Sequence, residues 1–192
     1  MIDASRKDKP LVIDILSTSF EDNKSVNYLV KQDRWRLKRI RLLMDYAFEE
    51  CMEFGRVVIS EDRNACALIL FKDRKHFSFK SLFRNLKLVF RVMGMANLFR
   101  ILRKERKIGL AHQTVKDKHL IYYLWFIGVY TSLQCKGTGT RLLQELLSES
   151  KAVGRTVLLE TSTAKNLSFY QKNGLKVYHE LDVSYPIYML KY

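Results

Sequence analysis

The sequence is poor in the residues that build disulfide scaffolds, metal clusters and low-complexity segments. It has three cysteines, two prolines and eight glycines among 192 residues. Cys51, Cys66 and Cys135 lack metal-binding spacing and any secretory context, so we expect reduced thiols and no bound metal. Repeats and linker-like stretches are missing from the sequence as well. We therefore predict a single domain over residues 1–192, long enough to bury a substantial core.

Long hydrophobic runs are also missing. The longest, near residues 120–130, is too short to cross a bilayer, and the first eight residues lack the apolar stretch of a signal peptide. We therefore expect a soluble, cytoplasmic protein.

Acidic residues are scarce relative to basic ones. The chain has 20 Asp and Glu against 34 Lys and Arg, a formal net charge of +14. Between Arg74 and Lys107, eleven basic residues accompany one acid, Glu105. Such a run is most often a solvated helix face, and a surface for nucleic acid or another anionic partner is the alternative.

The most informative segment is a glycine-containing turn between a hydrophobic strand and an amphipathic helix. It covers residues 134–140, with Gly137 and Gly139 two positions apart. The glycines remove side chains that would keep a phosphate away, and the first turn of the helix offers unpaired N–H groups and the positive end of its dipole. We therefore predict a phosphate or pyrophosphate site.

Two other phosphate-binding motifs do not fit this turn. A P-loop has four residues between its glycines and then Gly-Lys-Ser/Thr, whereas Thr140 and Arg141 follow Gly139 here. A dinucleotide fingerprint has a third glycine three residues after the second, but that position is Leu142 and the turn lies in the last third of the chain. We set both aside.

The turn resembles the acyl-CoA motif of the GNAT superfamily of N-acetyltransferases, Gln/Arg-x-x-Gly-x-Gly/Ala, at every fixed position of residues 134–139. Downstream, residues 158–162, Asn166 and residues 169–175 resemble the family's fifth strand, the following helix with its Asn and Tyr, and the start of the next strand. Leu175 stands where Phe is usual, and no Pro follows Val129. The resemblance covers nearly the whole chain.

The resemblance implies an α/β (α+β) fold: a mixed, mostly antiparallel sheet with splayed fourth and fifth strands, helices on both faces, and a helical insertion before the fourth strand. Periodicity predicts a helix over 33–54 with Asp33 as its cap, and a hairpin of 57–60 with 65–71. Residues 120–129 are apolar on both faces, which predicts a central strand. The other predicted elements are strands at 2–4, 156–160, 175–183 and 185–190, helices at 10–20, 140–150 and 164–173, and a basic helical insertion at about 77–108, broken near 94–97.

The same resemblance implies acetyl-CoA as the acyl donor. Its pantetheine would pair with the backbone of Ile127, Gly128 and Val129, although a strand bulge is the alternative explanation for Gly128. Asn166 and Tyr170 lie four residues apart on one helix face. Asn166 would bind the pantetheine arm, and Tyr170 would protonate the leaving thiolate. An ordinary packed aromatic is the alternative for Tyr170. The pyrophosphate would rest on the N–H groups of Gln134, Cys135, Lys136, Gly137, Thr138, Gly139 and Thr140.

The general base is less evident. Many relatives place a Glu or His base at positions that align with Tyr123 or Trp125. Neither tyrosine nor tryptophan acts as a base near neutral pH. Glu160, at the end of the fifth strand, is the best carboxylate candidate, because burial between strands would favour proton uptake. A helix-capping or solvent-facing carboxylate is the alternative. His119 is the next candidate, and deprotonation through water stays open.

Residues 125–129 and 159–162 most resemble the small-molecule branch that includes puromycin-type acetyltransferases. This implies a small primary amine as acceptor, and we assign Tyr123 and Trp125, together with Tyr122, to an aromatic acceptor site. The alternatives are an amine of a protein or peptide, and a basic binding module for an anionic partner with a vestigial CoA site. The sequence leaves homodimer formation open.

The insertion carries an apolar stripe among its basic residues. We expect the stripe to pack on the domain as a mobile cover over the acceptor side, since the ends of the insertion lie where the amine enters. Its outward Lys and Arg would steer anionic groups toward the cleft. The stripe consists of Leu82, Phe83, Leu86, Val89, Phe90 and Met93.

Overall fold

A seven-stranded sheet forms the centre of the molecule. The computed structural model describes residues 1–94, 97–115 and 120–192, and within them the strand order is β1-β2-β3-β4-β5-β7-β6. Neighbouring strands are antiparallel except β4 and β5, which are parallel. The mixed, mostly antiparallel sheet with a central fourth strand is therefore confirmed. The strands are β1 (Ile2–Asp3), β2 (Gly55–Ile59), β3 (Ala65–Leu70), β4 (Ile121–Val129), β5 (Thr156–Thr161), β6 (Lys176–Asp182) and β7 (Pro186–Lys191).

Helices cover both faces of this sheet. On one face α1 and α3 pack against β2, β3 and β4, and on the other face the leucines of α6 pack with Tyr170 of α7. None of the helices among the described residues has the length and apolarity needed to span a membrane. The helices are α1 (Lys9–Ser19), α2 (Lys24–Leu29), α3 (Arg36–Phe54), α4 (Phe79–Leu88), α5 (Leu98–His112), α6 (Thr138–Ala152) and α7 (Ala164–Lys172).

The start of α3 differs slightly from its prediction. The helix begins at Arg36 and not at residue 33, with Trp35 as the residue before it. Asp33 still accepts a hydrogen bond from the Trp35 N–H at 2.9 Å and pairs with Arg39. Its carboxylate therefore stabilises the approach to the helix without capping it.

A bulge in β4 decides which side chains face α1 and α3. Leu68 pairs with Phe126 and Ile69 with Leu124, so Trp125 is the extra residue. The extra residue interrupts the alternation of faces, and Trp125 and Phe126 both pack with the cluster that contains α1 and α3. Two adjacent aromatic side chains thus lie on the same face of the sheet.

The parallel pairing of β4 with β5 is short. It joins residues 121–123 to residues 156–158. Beyond Tyr123, β4 pairs with β3 on one side, whereas the described residues provide no strand partner on its β5 side. The predicted splay is present, and it leaves backbone groups of residues 124–129 facing a gap.

Helices α4 and α5 form the segment between β3 and β4. The buried apolar residues of this segment include Leu88, Val92 and Ile101, while Phe83 and Phe90 of the predicted stripe are exposed. The predicted packing of the stripe is therefore wrong for α4. The reason is a fully buried carboxylate on α3, Glu50, which binds the opposite, polar face of the helix through Ser81 and Arg84.

Candidate active site

A cavity of about 350 Å³ lies at the gap between β4 and β5. The two strands form its floor, α7 borders one end, and α2, α4 and α5 line the remaining sides. Most of the lining is apolar or aromatic. From the set predicted from the sequence, the cavity brings together Tyr123, Trp125, Ile127, Glu160, Asn166 and Tyr170.

Four side chains form a hydrogen-bonded chain in the wall of this cavity, which we call the Glu160 cluster. The Oε1 atom of Glu160 lies 2.5 Å from His112 Nε2, and the Tyr123 hydroxyl donates to Oε2 at 2.5 Å. Lys72 Nζ lies 2.8 Å from His112 Nδ1. The cluster joins the end of α5, the turn after β3, and strands β4 and β5, so its geometry depends on all four segments.

The donors of the Glu160 cluster determine where its protons lie. An ammonium group has hydrogens but no acceptor, so Lys72 donates to Nδ1 of His112. Nε2 then carries the remaining ring hydrogen and donates to Glu160. Burial, together with the negative charge and hydrogen bond of Glu160, raises the pKa of Tyr123 well above its ordinary value. Both oxygens of Glu160 therefore accept hydrogen bonds, one from His112 and one from Tyr123.

A second group of polar side chains faces the cavity from β5 and α7. Tyr170 is buried, and this burial raises the pKa of its phenol, so the hydroxyl keeps its proton at neutral pH. Ser162 Oγ is buried and has no hydrogen-bond partner within the part of the chain that the structure describes. Because buried polar groups are normally paired, this atom is a candidate for binding a ligand.

The turn at residues 134–140 has the geometry of an anion site. Gly137 has a φ of 87°, a conformation that favours glycine, and it precedes α6 directly. The first turn of α6 has neither an acidic residue nor a side-chain cap, so its N–H groups are available. A Cβ atom added to Gly139 would lie 3.1 Å from Val129 Cγ2, which shows how closely this turn packs on β4.

Gly128 has a packing role that differs from both interpretations of the sequence. The bulge of β4 lies at Trp125 and not at Gly128. A Cβ atom at Gly128 would lie 2.9 Å from Leu16 Cδ2 and 3.1 Å from Ser19 Oγ, so glycine permits the close approach of α1. Ser19 Oγ also donates to the Val129 carbonyl at 2.7 Å, which occupies one of the backbone groups predicted to bind pantetheine.

Other predicted site residues lie outside the cavity lining. Tyr122 is fully buried against Phe71 on the opposite face of the sheet, so its assignment to the acceptor site is wrong. Gly128, Val129 and residues 134–140 lie at the carboxyl end of β4, beyond the lining. His119 falls outside the described residues.

Sequence reasoning missed His112 and Lys72. Both belong to the segment between β3 and β4, whose side chains show no motif. A lone histidine at the end of a basic helix is indistinguishable in sequence from a surface residue. Only the structure shows that α5 ends at His112 and that His112 is buried beside Ala111.

The model of the Acetyltransferase (GNAT) family matches residues 60–175. This range contains the hairpin, β4, the turn at residues 134–140, and Tyr170. The chain belongs to the GNAT acetyltransferase family, and membership of this family makes it an acyltransferase. The resemblance seen in the sequence is thereby confirmed at the level of the family, while the puromycin-type branch stays a prediction.

Solved structures show the same fold. One from Corynebacterium glutamicum, described as histone acetyltransferase HPA2 and related acetyltransferase, has a TM-score of 0.68 at 15% identity, covering 99% of this chain and 93% of that one. The C-terminal condensation domain of Ebony, in complex with beta-alanyl-dopamine, has a TM-score of 0.68 at 11% identity, with 100% and 96% covered. A Drosophila melanogaster polyamine N-acetyltransferase, which catalyses the formation of N-acetylagmatine, has a TM-score of 0.64 at 10% identity. The match covers 99% of this chain and 97% of that one.

Proposed function

We propose that this protein transfers an acetyl group from acetyl-CoA to the primary amine of a small molecule. One observation carries the proposal. The gap between β4 and β5 opens into the cavity that holds the Glu160 cluster and the Tyr170 hydroxyl. A donor lying in the gap and an amine in the cavity would therefore meet beside a proton acceptor and a proton donor.

Three features of the chain suit acetyl-CoA. The unpaired edge of β4 offers backbone groups to the amides of a pantetheine arm, as a neighbouring strand would. The turn before α6 offers N–H groups to a pyrophosphate, with Lys136 exposed in the same turn. Asn166, with Ser162 Oγ, supplies polar atoms between these two regions.

The cavity favours a cationic amine with an apolar or aromatic body. Although the protein is strongly basic, the acidic and basic residues among the described lining of the cavity are two carboxylates, Glu105 and Glu160, and one lysine, Lys104. Limited hydration in the cavity raises the pKa of Glu105, an effect that the nearby Lys104 opposes. Aromatic rings of Tyr46 and Trp125 meet edge to face at 6.0 Å and would pack against the body of the amine.

The residues of the site have distinct tasks. Acetyl-CoA, when bound, supplies an acetyl group as a thioester and departs as the free thiol. The bound ammonium first gives one proton to water, which leaves a neutral amine. Glu160 then takes the second proton, which the nitrogen loses as it bonds to the acetyl carbon, while His112 and Tyr123 hold the carboxylate in place. Tyr170 gives its proton to the sulfur as the carbon–sulfur bond breaks, and water returns both residues to their starting forms.

The proposal is tested by calorimetric titration with acetyl-CoA, comparing the parent protein with Gly139→Val. Valine would place two methyl groups over the N–H groups of the turn, and we expect most of the affinity to be lost. Gly109→Val is the matched control, because it makes the same change on a helix where an added Cβ meets nothing within 4 Å. Equal affinity in Gly139→Val and the parent would remove the turn from the site.

A panel of amines then tests the reaction itself. Free thiol is measured as it forms with aromatic monoamines, linear polyamines and a lysine-containing peptide. We expect turnover with an aromatic or apolar primary amine. Binding of acetyl-CoA without turnover of any amine would favour a binding module, and turnover of the peptide alone would assign the acceptor to a protein.

A further inference from the structure

Helix α4 packs with its polar side chains inward, contrary to the usual arrangement of an amphipathic helix. Arg84 donates to Glu50 Oε1 through Nε at 2.9 Å and through Nη2 at 2.6 Å, and it also binds Glu53. Ser81 Oγ donates to the same Glu50 oxygen at 2.9 Å. Since Glu50 is fully buried, these contacts determine which face of α4 points toward the domain.

The outward face of α4 is consequently apolar. In helix geometry, residues 79, 83 and 86 project within roughly 60° of each other, on the side opposite buried Leu88. Phe79 is 78% exposed and Phe83 is 69% exposed. Phe77, before the helix, packs edge to face on Phe79 with ring centroids 5.0 Å apart. We call Phe77, Phe79, Leu82, Phe83, Leu86 and Phe90 the outer stripe, all of them exposed.

Basic residues border the outer stripe. Lys80, Lys87 and Arg91 are exposed, and helix geometry places Lys80 and Lys87 about a quarter turn from the centre of the stripe. Between Arg74 and Lys104 the sequence contains no Asp or Glu. The surface therefore combines several exposed aromatic rings with a border of positive charge.

We propose that the outer stripe and its basic border bind the surface of an anionic lipid membrane. Phenylalanine rings gain free energy by entering the boundary between lipid headgroups and acyl chains, and lysine side chains reach from there to the phosphates. Each lysine or arginine near an anionic bilayer strengthens the attachment further. The protein would lie on the membrane through one helix, without crossing it.

The charge distribution distinguishes this partner from others. A second copy of the same surface would bring two positive borders together, which opposes a symmetric dimer through α4. A nucleic acid would be attracted by the basic residues but would leave a continuous stripe of phenylalanine and leucine with few contacts. An anionic membrane would bind the outer stripe through its acyl chains and the basic border through its phosphates. The inference does not depend on the acetyl-transfer reaction.

Vesicle co-sedimentation of the full chain tests the proposal. We expect binding to vesicles of phosphatidylcholine mixed with phosphatidylglycerol, and much weaker binding to phosphatidylcholine alone. Replacing both rings in F79S/F83S should weaken binding to the anionic vesicles by at least about tenfold, because their apolar area is lost. K80S/K87S should weaken it by roughly tenfold through loss of charge.

Val153→Ser is the control, since Val153 is an exposed apolar residue at the end of α6, on the face of the sheet opposite α3 and α4. It should bind vesicles like the parent protein. Failure of the parent to bind anionic vesicles, or equal binding by F79S/F83S, would overturn the proposal. So would a concentration-dependent dimer, measured by light scattering, that F79S/F83S abolishes while vesicle binding persists. Retention on a single-stranded oligonucleotide without vesicle binding would assign the surface to nucleic acid instead.

Discussion

Two carboxylates on the same side of the sheet, Glu50 and Glu160, have opposite surroundings. Glu50 is fully buried and is bound by Arg84, whose guanidinium keeps its charge at any ordinary pH. Glu160 lies in a cavity wall, where the imidazole of His112 and the hydroxyl of Tyr123 hydrogen-bond it in place of a guanidinium. Burial of a carboxylate is therefore insufficient evidence of chemistry. The nature of its partners and access to a cavity separate an anchoring acid from a reactive one.

The largest expected effect is that of Glu160→Gln on turnover. Glutamine keeps the shape and accepts from Tyr123, but it takes up no proton, so kcat/KM should fall by ~10³-fold, within the range for a positioned base. The glutamine NH2 would then face the Nε2–H of buried His112 and lower stability, so turnover is expressed per folded molecule, with the folded fraction measured by urea denaturation. Unchanged turnover would mean that water removes the amine proton without this carboxylate.

Tyr170→Phe extends the comparison to another polar side chain that lines the cavity. Loss of the hydroxyl removes the proton donor to the leaving thiolate, and we expect kcat to fall by ~10²-fold with nearly unchanged affinity for acetyl-CoA. Steady-state kinetics and calorimetry measure the two quantities separately. A full rate in Tyr170→Phe would return Tyr170 to the role of a packed aromatic.

Glu50→Gln should lower stability and leave turnover nearly unchanged, whereas we expect Glu160→Gln to lower turnover. Its neutral side chain leaves Arg84 with a weakened partner in a buried position, and we expect a loss of about 2 kcal/mol in the free energy of unfolding, because Glu53 still binds Arg84. Glu53→Gln is the matched control and should cost less, since that carboxylate is more exposed. Turnover per folded molecule should stay close to that of the parent. A strong loss of activity in stable Glu50→Gln would undo the distinction between the two acids.

The smallest expected effect concerns alkaline pH. The folded-state pKa of Tyr123 lies above its unfolded value of about 10, so its stabilising contribution is complete below that pH and decreases as the pH rises past it. Between pH about 9 and about 11 the free energy of unfolding of the parent should therefore decrease by roughly 1 kcal/mol more than that of Tyr123→Phe. Denaturation at both pH values measures this difference, and an equal loss in the two proteins would contradict it.

Patterns that are local in sequence predicted most of the fold. The apolar face of α6, the hairpin of β2 and β3, and the central position of β4 follow from periodicity and from runs of apolar residues. Glu160, Asn166 and Tyr170 could be placed because they lie within a motif of fixed spacing. These residues do line one cavity.

The remaining features depend on pairs that are far apart in sequence. His112 binds Glu160 across 48 residues, and neither residue marks the other in the sequence. The orientation of α4 depends on Glu50, 34 residues before Arg84, so its apolar stripe by itself predicts the wrong buried face. The bulge at Trp125 is also invisible, because it arises from the register between two strands.

The short pairing of β4 with β5 divides the sheet into two parts. Strands β1 to β4 form one part, strands β5, β7 and β6 form the other, and three residues on each side join them. A ligand that filled the gap would supply the hydrogen bonds missing between the two parts and would stabilise the folded state by mass action. The resistance of the protein to proteolysis would then rise and fall with the concentration of that ligand.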